Sequence, residues 1–319
     1  MSTPTEPATD AAVGRAPGRV CLLGEHCDWA GGACLVAPLE RALEVRAYRG
    51  AWGLLVRSSM GLSRFGPALL GVPGDPNRYV AAVARALMQQ GVPLPPMRVN
   101  VTGDLPPGRG FSSSAAVCVA ATRAMLALTG LSWSPDDVAA LALTAERDLL
   151  GVPCGLMDPL ACAHARVLAI DWGPPVDLRP LDPPVAPPLL VAYFPTGRAA
   201  GPILDALNAA VKDGDPDVRG AIDTWARCAV RGAAALEAGD LPALGAEMNR
   251  AQAAYEALSI DVLEAPGLVA ACRALREAGA LGAKFTGAGG DGSLVALFAD
   301  AEGVARGRAL LVSLGLTAL

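Results

Sequence analysis

Hydrophobic residues in the first hundred positions come in short runs that are broken by glycine, proline and charged residues. Short runs of this kind are typical of β-strands, since helices need longer periodic segments. They predict strands at residues 19–23, 33–38, 43–47, 52–57 and 97–101. Residues 77–90 differ, because Tyr79, Val83 and Leu87 recur on one stripe, and this spacing predicts an amphipathic helix.

The rest of the chain alternates longer apolar segments with short ones. Residues 114–128 are rich in Ala, Val, Met and Leu and predict a helix that is buried on nearly all sides. Ser134 and Pro135 are typical of a helix N-terminus, and their helix is predicted to run to about residue 150. The pattern then predicts strands at 166–171, 189–194 and 293–299, helices at 201–212, 217–237, 241–257 and 267–278, and a final helix.

This mixture of strands and helices predicts an α+β protein of two lobes. The Pro-rich stretch 173–188 is the predicted boundary between them. The chain is therefore expected to comprise a disordered tail (1–14), an N-terminal lobe (15–175) and a C-terminal lobe (176–319). The tail is polar and acidic, and it lacks the basic and apolar regions of a signal peptide.

Composition and charge exclude several classes of protein. The net charge is −5 and no basic tract occurs, so a nucleic acid is not an expected partner. The 26 basic residues include only two lysines, Lys212 and Lys284. The eight cysteines form no CxxC pair and only two histidines occur, which disfavours a zinc site. No apolar stretch reaches the about 18 residues of a membrane span, and we expect a reducing, cytoplasmic location without a membrane partner.

The first segment that predicts chemistry is the Gly/Ser-rich run 106–116, between a predicted strand and a buried helix. Its glycines let the backbone approach a ligand closely, and the helix N-terminus offers free N–H groups to an anion. The residues alone indicate either a phosphate-binding loop or an ordinary turn with serine caps. They fit neither a Walker A loop nor a dinucleotide fingerprint.

The second segment, 17–28, ends a predicted strand at Gly24 and then places Glu25, His26 and Asp28 within four residues. So many hydrogen-bonding groups suit a polyhydroxylated ligand. A solvated turn has the same composition, and for a charged tripeptide it is the commoner explanation.

Two more segments carry polar or flexible residues between apolar elements. Asp158 is flanked by Leu156, Met157 and Leu160, and a carboxylate there needs a partner. It then either accepts or orients a hydroxyl proton or caps the following helix. Segment 284–292 is a Gly-rich turn, whose pattern also fits a simple hairpin loop.

Together and in this order, the four segments resemble the superfamily of galactokinase, homoserine kinase, mevalonate kinase and phosphomevalonate kinase, the GHMP kinases. The Gly-Glu-His-x-Asp run within 17–28 is similar to that of galactokinases. Segment 106–116 resembles the superfamily phosphate loop, and 151–158 resembles the galactokinase segment around the catalytic aspartate. Segment 286–292 resembles the C-terminal Gly-rich motif.

The resemblance implies transfer of the γ-phosphoryl group of ATP, with Mg²⁺, to a hydroxyl of a sugar or sugar-like acceptor. It implies an N-terminal lobe of the ribosomal-S5-domain-2 type, a ferredoxin-like C-terminal lobe and an active site in the cleft between them. Asp158 would be catalytic, Arg19 would pair with it, and Ser114 and Glu146 would bind Mg²⁺. The phosphates would contact Pro107, Gly108, Arg109, Gly110, Phe111, Ser112, Ser113, Ser114 and Ala115. The acceptor would contact Glu25, His26, Asp28, Gly155 and Asp158, and the C-terminal Gly motif would comprise Thr286, Gly287, Ala288, Gly289 and Gly290.

Several positions depart from the galactokinase pattern. Trp29 stands where a Tyr is usual, Pro159 replaces the Gln after the catalytic aspartate, and Asp291 interrupts the last glycine run. The segment 193–198 stands where galactokinases carry a sugar-binding Tyr. These departures concern galactose as the acceptor and leave the residues of phosphoryl transfer in place.

Three functions therefore remain open on the sequence. The first is a galactokinase-like sugar kinase, which could act on the anomeric hydroxyl. The second is a mevalonate-type kinase, with which Glu25 and His26 are compatible, whereas Asp28 favours a polyol. The third is a non-catalytic relative that binds ATP and sugar as a sensor; the presence of Arg19, Ser114, Glu146 and Asp158 argues against it. The sequence is compatible with a monomer or a homodimer.

Overall fold

The computed structural model describes residues 11–66, 74–196 and 200–319 and confirms a mixed α+β protein with two compact units. The first unit comprises residues up to Gly18, Arg41–Leu105 and Ser114–His164, and the second comprises Arg19–Glu40, Pro106–Ser113 and Ala165–Leu319. Segments of the two units alternate along the chain. The single boundary expected near residue 175 stays a prediction.

Strand β1 runs from Ala12 to Leu23 and changes the interpretation of the N-terminus. Residues 1–10 of the expected tail lie outside the described residues. The prediction is wrong for the end of the tail, because residues 12–14 already belong to β1. Gly14 permits this course: a Cβ there would lie 2.6 Å from the backbone nitrogen of Ala124.

The sheet of the first unit is built around the C-terminal half of a long strand, β2 (Ala33–Arg49). This half pairs antiparallel with β5 (Met97–Gly103), β5 pairs parallel with β3 (Leu54–Ser58), and β3 pairs antiparallel with β4 (Gly61–Phe65). One strand thus replaces the two that were predicted at 33–38 and 43–47.

In the part of the first unit that the structure describes, four α-helices complete the fold: α2 (Arg78–Gln89), α3 (Ser113–Leu128), α4 (Pro135–Leu143) and α5 (Met157–His164). The Ser134 side chain caps α4 by accepting a hydrogen bond from the Asp137 N–H, as its sequence predicts. The predicted continuation to residue 150 is helical, but it widens into a π-helical turn at Thr144–Leu149. Such turns are rare and recur at functional sites.

The second unit contains a short helix and two groups of strands. Helix α1 (Cys27–Ala30) follows β1. The N-terminal half of β2 pairs antiparallel with β6 (Val167–Asp171), and β6 pairs antiparallel with β7 (Asp177–Leu181). A separate antiparallel sheet has the order β11–β8–β10–β9, with β8 at Leu189–Tyr193, β9 at Gly282–Thr286, β10 at Ser293–Leu297 and β11 at Thr317–Ala318.

Five helices of the second unit were predicted. The first four begin and end within one or two residues of the predicted ranges, and the fifth lies where the final helix was expected. They are α6 (Ala200–Asp213), α7 (Pro216–Glu237), α8 (Leu241–Glu256), α9 (Pro266–Glu277) and α10 (Ala301–Ser313). No helix in the described part of the chain has the length and apolar character needed to cross a bilayer.

Helix α8 covers β9, an edge strand of the four-stranded sheet. Asn249 accepts from the Ala283 N–H and donates to the Leu281 carbonyl, and Gln252 accepts from the Phe285 N–H at 2.8 Å. The close approach requires glycine, because a Cβ on Gly245 would lie 2.6 Å from the Leu281 carbonyl carbon. Polar side chains of a helix thus take hydrogen bonds that another strand would make.

Candidate active site

The Gly/Ser loop leads directly into helix α3. Gly108, Gly110 and Ser112 have φ angles of 67°, 72° and 58°, whereas Arg109 and Phe111 between them do not have positive φ. Alternating signs of φ turn successive N–H groups toward one side, as in anion-binding nests. The loop continues directly into the sixteen-residue helix that begins at Ser113, and the first N–H groups of a helix have no intrahelical partners. The geometry suits a phosphate group.

The C-terminal glycine motif packs directly against this loop within the second unit. A Cβ on Gly287 would lie 3.3 Å from both the Cα and the carbonyl oxygen of Gly110. The Ser293 hydroxyl also donates to the Arg109 carbonyl at 2.6 Å. The predicted turn was too long at its start, because Lys284 and Thr286 belong to strand β9. The turn itself begins at Gly287.

Arg19 and Thr286 connect these two loops to strand β1. The Arg19 guanidinium donates to the Gly110 carbonyl at 2.6 Å, and its backbone N–H donates to the Phe111 carbonyl. The Thr286 hydroxyl accepts from the Cys21 N–H at 3.1 Å and donates to the Cys21 carbonyl at 3.0 Å. Both side chains are buried, so the Gly/Ser loop is held by contacts with β1 and β9.

Glu25 and Lys284 form an ion pair that is shielded from water. Their side chains are 1% and 0% exposed, and the Lys284 ammonium donates to Glu25 Oε1. Burial raises the pKa of Glu25, while the charge of Lys284 and its hydrogen bond oppose the rise. The other carboxylate oxygen, Oε2, is also buried and has no hydrogen-bond partner among the described residues. One oxygen of Glu25 thus remains available to a ligand.

His26 follows in a left-handed conformation with φ of 67°. Its ring lies between Trp29, at 5.8 Å between centroids, and Trp225, at 5.7 Å. Burial lowers the pKa of His26 to about 4, and a hydrogen bond with the backbone of Ala288 opposes this shift. The imidazole is therefore neutral at pH 7. Its buried Nε2 lacks a hydrogen-bond partner within the described part of the protein.

The remaining predicted acceptor residues are less buried. Asp28 lies half-buried in the first turn of α1. Gly155 lies half-buried in the segment before α5.

Ser114, Glu146 and Asp158 come together in the first unit. Glu146 is 2% exposed within the π-helical turn, and Asp158 lies in the first turn of α5. Burial raises the pKa of Glu146 to about 7; a hydrogen bond with Ser114 lowers it, and the charge of Asp158 raises it. Two neighbouring carboxylates and a hydroxyl are oxygen donors that fit Mg²⁺. In the described residues, no cluster of three His, Cys, Asp or Glu side chains could hold a metal.

Asp291 and segment 193–198, which both depart from the galactokinase pattern, have structural roles. Asp291 Oδ1 accepts a hydrogen bond from the Leu268 N–H at 2.8 Å, at the start of α9. The Arg109 side chain turns toward the end of β8, where it lies 5.4 Å from the Tyr193 ring centroid and donates to the Phe194 carbonyl. Segment 193–196 therefore supports the Gly/Ser loop. Residues 197 and 198 lie outside the described residues.

Sequence reasoning missed Lys284 as a partner of the site, because it assigned this residue to a Gly-rich turn. A usable signal was present. Lys284 is one of only two lysines in a chain rich in arginine, and it interrupts the apolar run 280–285. It also missed Tyr255, whose hydroxyl accepts from the Gly290 N–H at 2.8 Å and donates to the Leu263 carbonyl. Helix α8 is distant in sequence, so no local pattern could indicate that contact.

Three family models match the chain. They are described as GHMP kinases N terminal domain (residues 78–166), Galactokinase galactose-binding signature (residues 5–47) and GHMP kinases C terminal (residues 233–309). These ranges include the loop-to-helix segment, the Glu25–Asp28 segment and the C-terminal glycine motif.

The chain is similar along most of its length to curated kinases. It is 35% identical to a mevalonate kinase of Aeropyrum pernix, covering 92% of this chain and 90% of that protein. It is 30% identical to a galactokinase of Roseiflexus, covering 89% and 82%. The fold matches Lactococcus lactis galactokinase complexed with galactose (TM-score 0.81, 20% identity, covering 98% and 93%) and Methanococcus jannaschii mevalonate kinase (TM-score 0.82, 15% identity, covering 98% of both).

Proposed function

The chain belongs to the GHMP kinase family, and from this premise we propose that it transfers the γ-phosphoryl group of ATP to a hydroxyl of a sugar or sugar-like acceptor. Membership makes it a phosphotransferase with an alcohol group as acceptor. The acceptor class rests on one observation: two buried atoms, Glu25 Oε2 and His26 Nε2, lack partners among the described residues.

Both atoms favour a ligand that donates hydrogen bonds. A carboxylate oxygen only accepts, and the unpaired nitrogen of a neutral imidazole also accepts when its other nitrogen carries the proton. Leaving such groups unpaired in a buried site is costly. Neighbouring hydroxyls of a polyol would satisfy both, and the match to the galactose-binding signature supports the same class.

The phosphate side of the reaction is assigned to the loop 107–115 and to the C-terminal glycine motif. Backbone N–H groups of the loop and of the α3 N-terminus would hold the phosphates. Ser114 and Glu146 would bind Mg²⁺, which supplies charge neutralisation for the phosphates when bound. The packing of Gly287 on Gly110 supports a rigid cradle.

Asp158 and Arg19 are assigned to the transfer step. Asp158 would accept or orient the proton of the attacking hydroxyl. Arg19 is held on the phosphate loop by its hydrogen bond with Gly110, and it would stabilise charge on the transferred group. Positioning and fixed charges then supply most of the rate, as in other phosphoryl transfers.

A mevalonate-type kinase is the second candidate, and the 35% identity to the Aeropyrum enzyme favours it. Mevalonate carries a carboxylate, which has no hydrogen to donate to Glu25 Oε2 or His26 Nε2, whereas a hydroxyl can donate to either atom. A coupled ADP-release screen separates the candidates, with monosaccharides, uronic acids, amino sugars and mevalonate as acceptors. We expect a monosaccharide to give the highest kcat/KM, and turnover with mevalonate alone would contradict the sugar proposal. Transfer to any acceptor excludes the sensor alternative.

A further inference from the structure

Lys284 is an exception in the composition of this protein. Among the 26 lysine and arginine residues only Lys212 and Lys284 are lysines. Lys212 is exposed on α6, whereas Lys284 is completely buried on β9. A chain that uses arginine almost everywhere thus places a lysine in its interior. An ammonium is a compact charge on a slender stem, so it fits a closed site that a planar guanidinium would not.

The contacts of Lys284 fix the position of its ammonium group. The ammonium donates to Glu25 Oε1 and to the Phe285 carbonyl. It also lies 4.4 Å from the centroid of the Phe285 ring, a ring that stacks on Tyr255 at 4.3 Å and contacts Trp225. Two rings thus hold Phe285 in place, and the Phe285 ring in turn restricts the position of the ammonium. Glu25 Oε1 is therefore held in one place, and the direction of Oε2 follows from it.

A purely structural role does not account for this arrangement. A buried ion pair is seldom more stabilising than apolar residues of similar volume, because both charges lose their hydration. The pair also leaves Glu25 Oε2 buried without a partner among the described residues, which adds a further cost. This cost in stability is explained if Glu25 Oε2 binds a ligand and the Lys284 ammonium compensates the negative charge of the Glu25 carboxylate.

We infer that Lys284 is a positioning residue of the acceptor site: it holds Glu25 Oε1, so that Oε2 is oriented to accept a hydrogen bond from an acceptor hydroxyl, and it balances the charge of the carboxylate in the buried pocket. This inference rests on the proposed function and deepens it by naming the residue that orients the acceptor-binding carboxylate. Lys284 acts through Glu25 and not on the reacting atoms. Its loss is therefore a loss of acceptor binding more than of the chemical step.

The test compares wild type with Lys284→Met and Lys284→Arg, using the best neutral monosaccharide of the ADP-release screen. We expect each substitution to raise the acceptor KM about tenfold or more, the effect of losing a charge-assisted hydrogen bond. The kcat and the KM for ATP should change less than about twofold, a split that general destabilisation would not produce. Lys212→Met is the matched control and should retain the wild-type constants.

A double variant, Glu25→Met/Lys284→Met, separates stability from binding. Removing both charges should restore the melting temperature that Lys284→Met alone loses, yet the acceptor KM should stay raised. If Lys284→Met does not fold, Lys284→Arg and the double variant decide the question. A wild-type acceptor KM in these variants would overturn the inference while leaving the proposed function intact. A wild type that phosphorylates only mevalonate, or no acceptor at all, would reject both.

Discussion

Asp291 Oδ1 accepts a hydrogen bond from the backbone N–H of Leu268, across 23 positions of sequence and at a distance of 2.8 Å. Helix α9 begins at Pro266, and its N-cap residue, Ala265, has no side chain that could cap it. A carboxylate from the glycine motif therefore performs the capping and interacts favourably with the helix dipole. This relationship accounts for the acidic residue within a run of glycines.

We expect Asp291→Gly, which restores an uninterrupted glycine run, to lower the free energy of unfolding by about 1 kcal/mol, the usual value of a helix cap. Asp291→Asn keeps an acceptor oxygen and should lose less. Urea denaturation of the three proteins measures the difference. Equal stability of Asp291→Gly and wild type would show that this hydrogen bond contributes nothing.

Tyr255→Phe should destabilise the protein and weaken nucleotide binding together. The substitution leaves the Gly290 N–H and the Leu263 carbonyl without the hydroxyl that joins them, and unpaired buried groups cost about 1–3 kcal/mol. We expect a higher KM for ATP, because the glycine motif that packs on the Gly/Ser loop, the proposed site of the phosphates, loses its anchor. Thermal unfolding and steady-state kinetics measure the two effects, and a change in stability with an unaltered KM would restrict Tyr255 to a structural role.

The pH dependence of stability should contain a contribution from His26. The pKa of His26 is about 4 in the folded protein, below the usual value near 6.5 of an unfolded chain. The unfolded state therefore binds more protons, so this contribution is complete above pH 6.5 and is lost as the pH falls toward 4. The loss amounts to about 3 kcal/mol at most.

The matched variant for that measurement is His26→Asn, since asparagine tolerates the left-handed backbone of this position. As the pH falls from 7 to 4, the unfolding free energy of the wild type should decrease more than that of the variant. A difference that is constant with pH would contradict the burial of a neutral imidazole.

Asp158→Ala should lower kcat by about 10²–10⁴-fold, the usual contribution of a positioned acid or base. Binding of ATP, measured by calorimetry, should persist, because the loop 107–115 is unaltered. Substantial turnover by this variant would reject Asp158 as the catalytic carboxylate.

Glu146→Gln should raise the Mg²⁺ concentration that gives half-maximal activity. Loss of even an outer partner of a metal costs about 10–100-fold in affinity, and we expect at least this range for a direct ligand. Glu302→Gln, at an exposed glutamate on α10, is the control. An unchanged Mg²⁺ titration would exclude Glu146 from the metal site.

The elements that sequence reasoning located best are those whose signal is local. The helices α7 and α8 have long periodic stripes, and their predicted limits agree with the structure within a residue or two. Strand β9 was missed because it is short, carries a lysine and merges with a glycine motif. Its strand character comes from pairing with β10 and from cover by α8, neither of which is written in residues 282–286 themselves.

The same distinction holds for the candidate site. The positive φ at Gly108 and Gly110 follows from residue type, and the motif order indicated the family that the comparisons confirm. The partner of Glu25 lies 259 positions away. A single sequence shows which polar groups are present, but it does not show which of them meet in the interior. The roles of Ser114, Glu146, Asp158 and Arg19 stay predictions until the variants are measured.

Helix α8 covers β9, and this cover also protects the protein against self-association. An exposed edge strand presents unpaired N–H and C=O groups on which a strand of another molecule can add. Here the N–H groups of Ala283 and Phe285 bind Asn249 and Gln252, and their carbonyls accept from Arg276 and Lys284. The opposite edge of the sheet, β11, is only two residues long. One edge of the sheet is thus covered by side chains, and the other edge strand is too short to pair with another molecule. Removing the side chains of Asn249 and Gln252 would expose β9 as a template for aggregation.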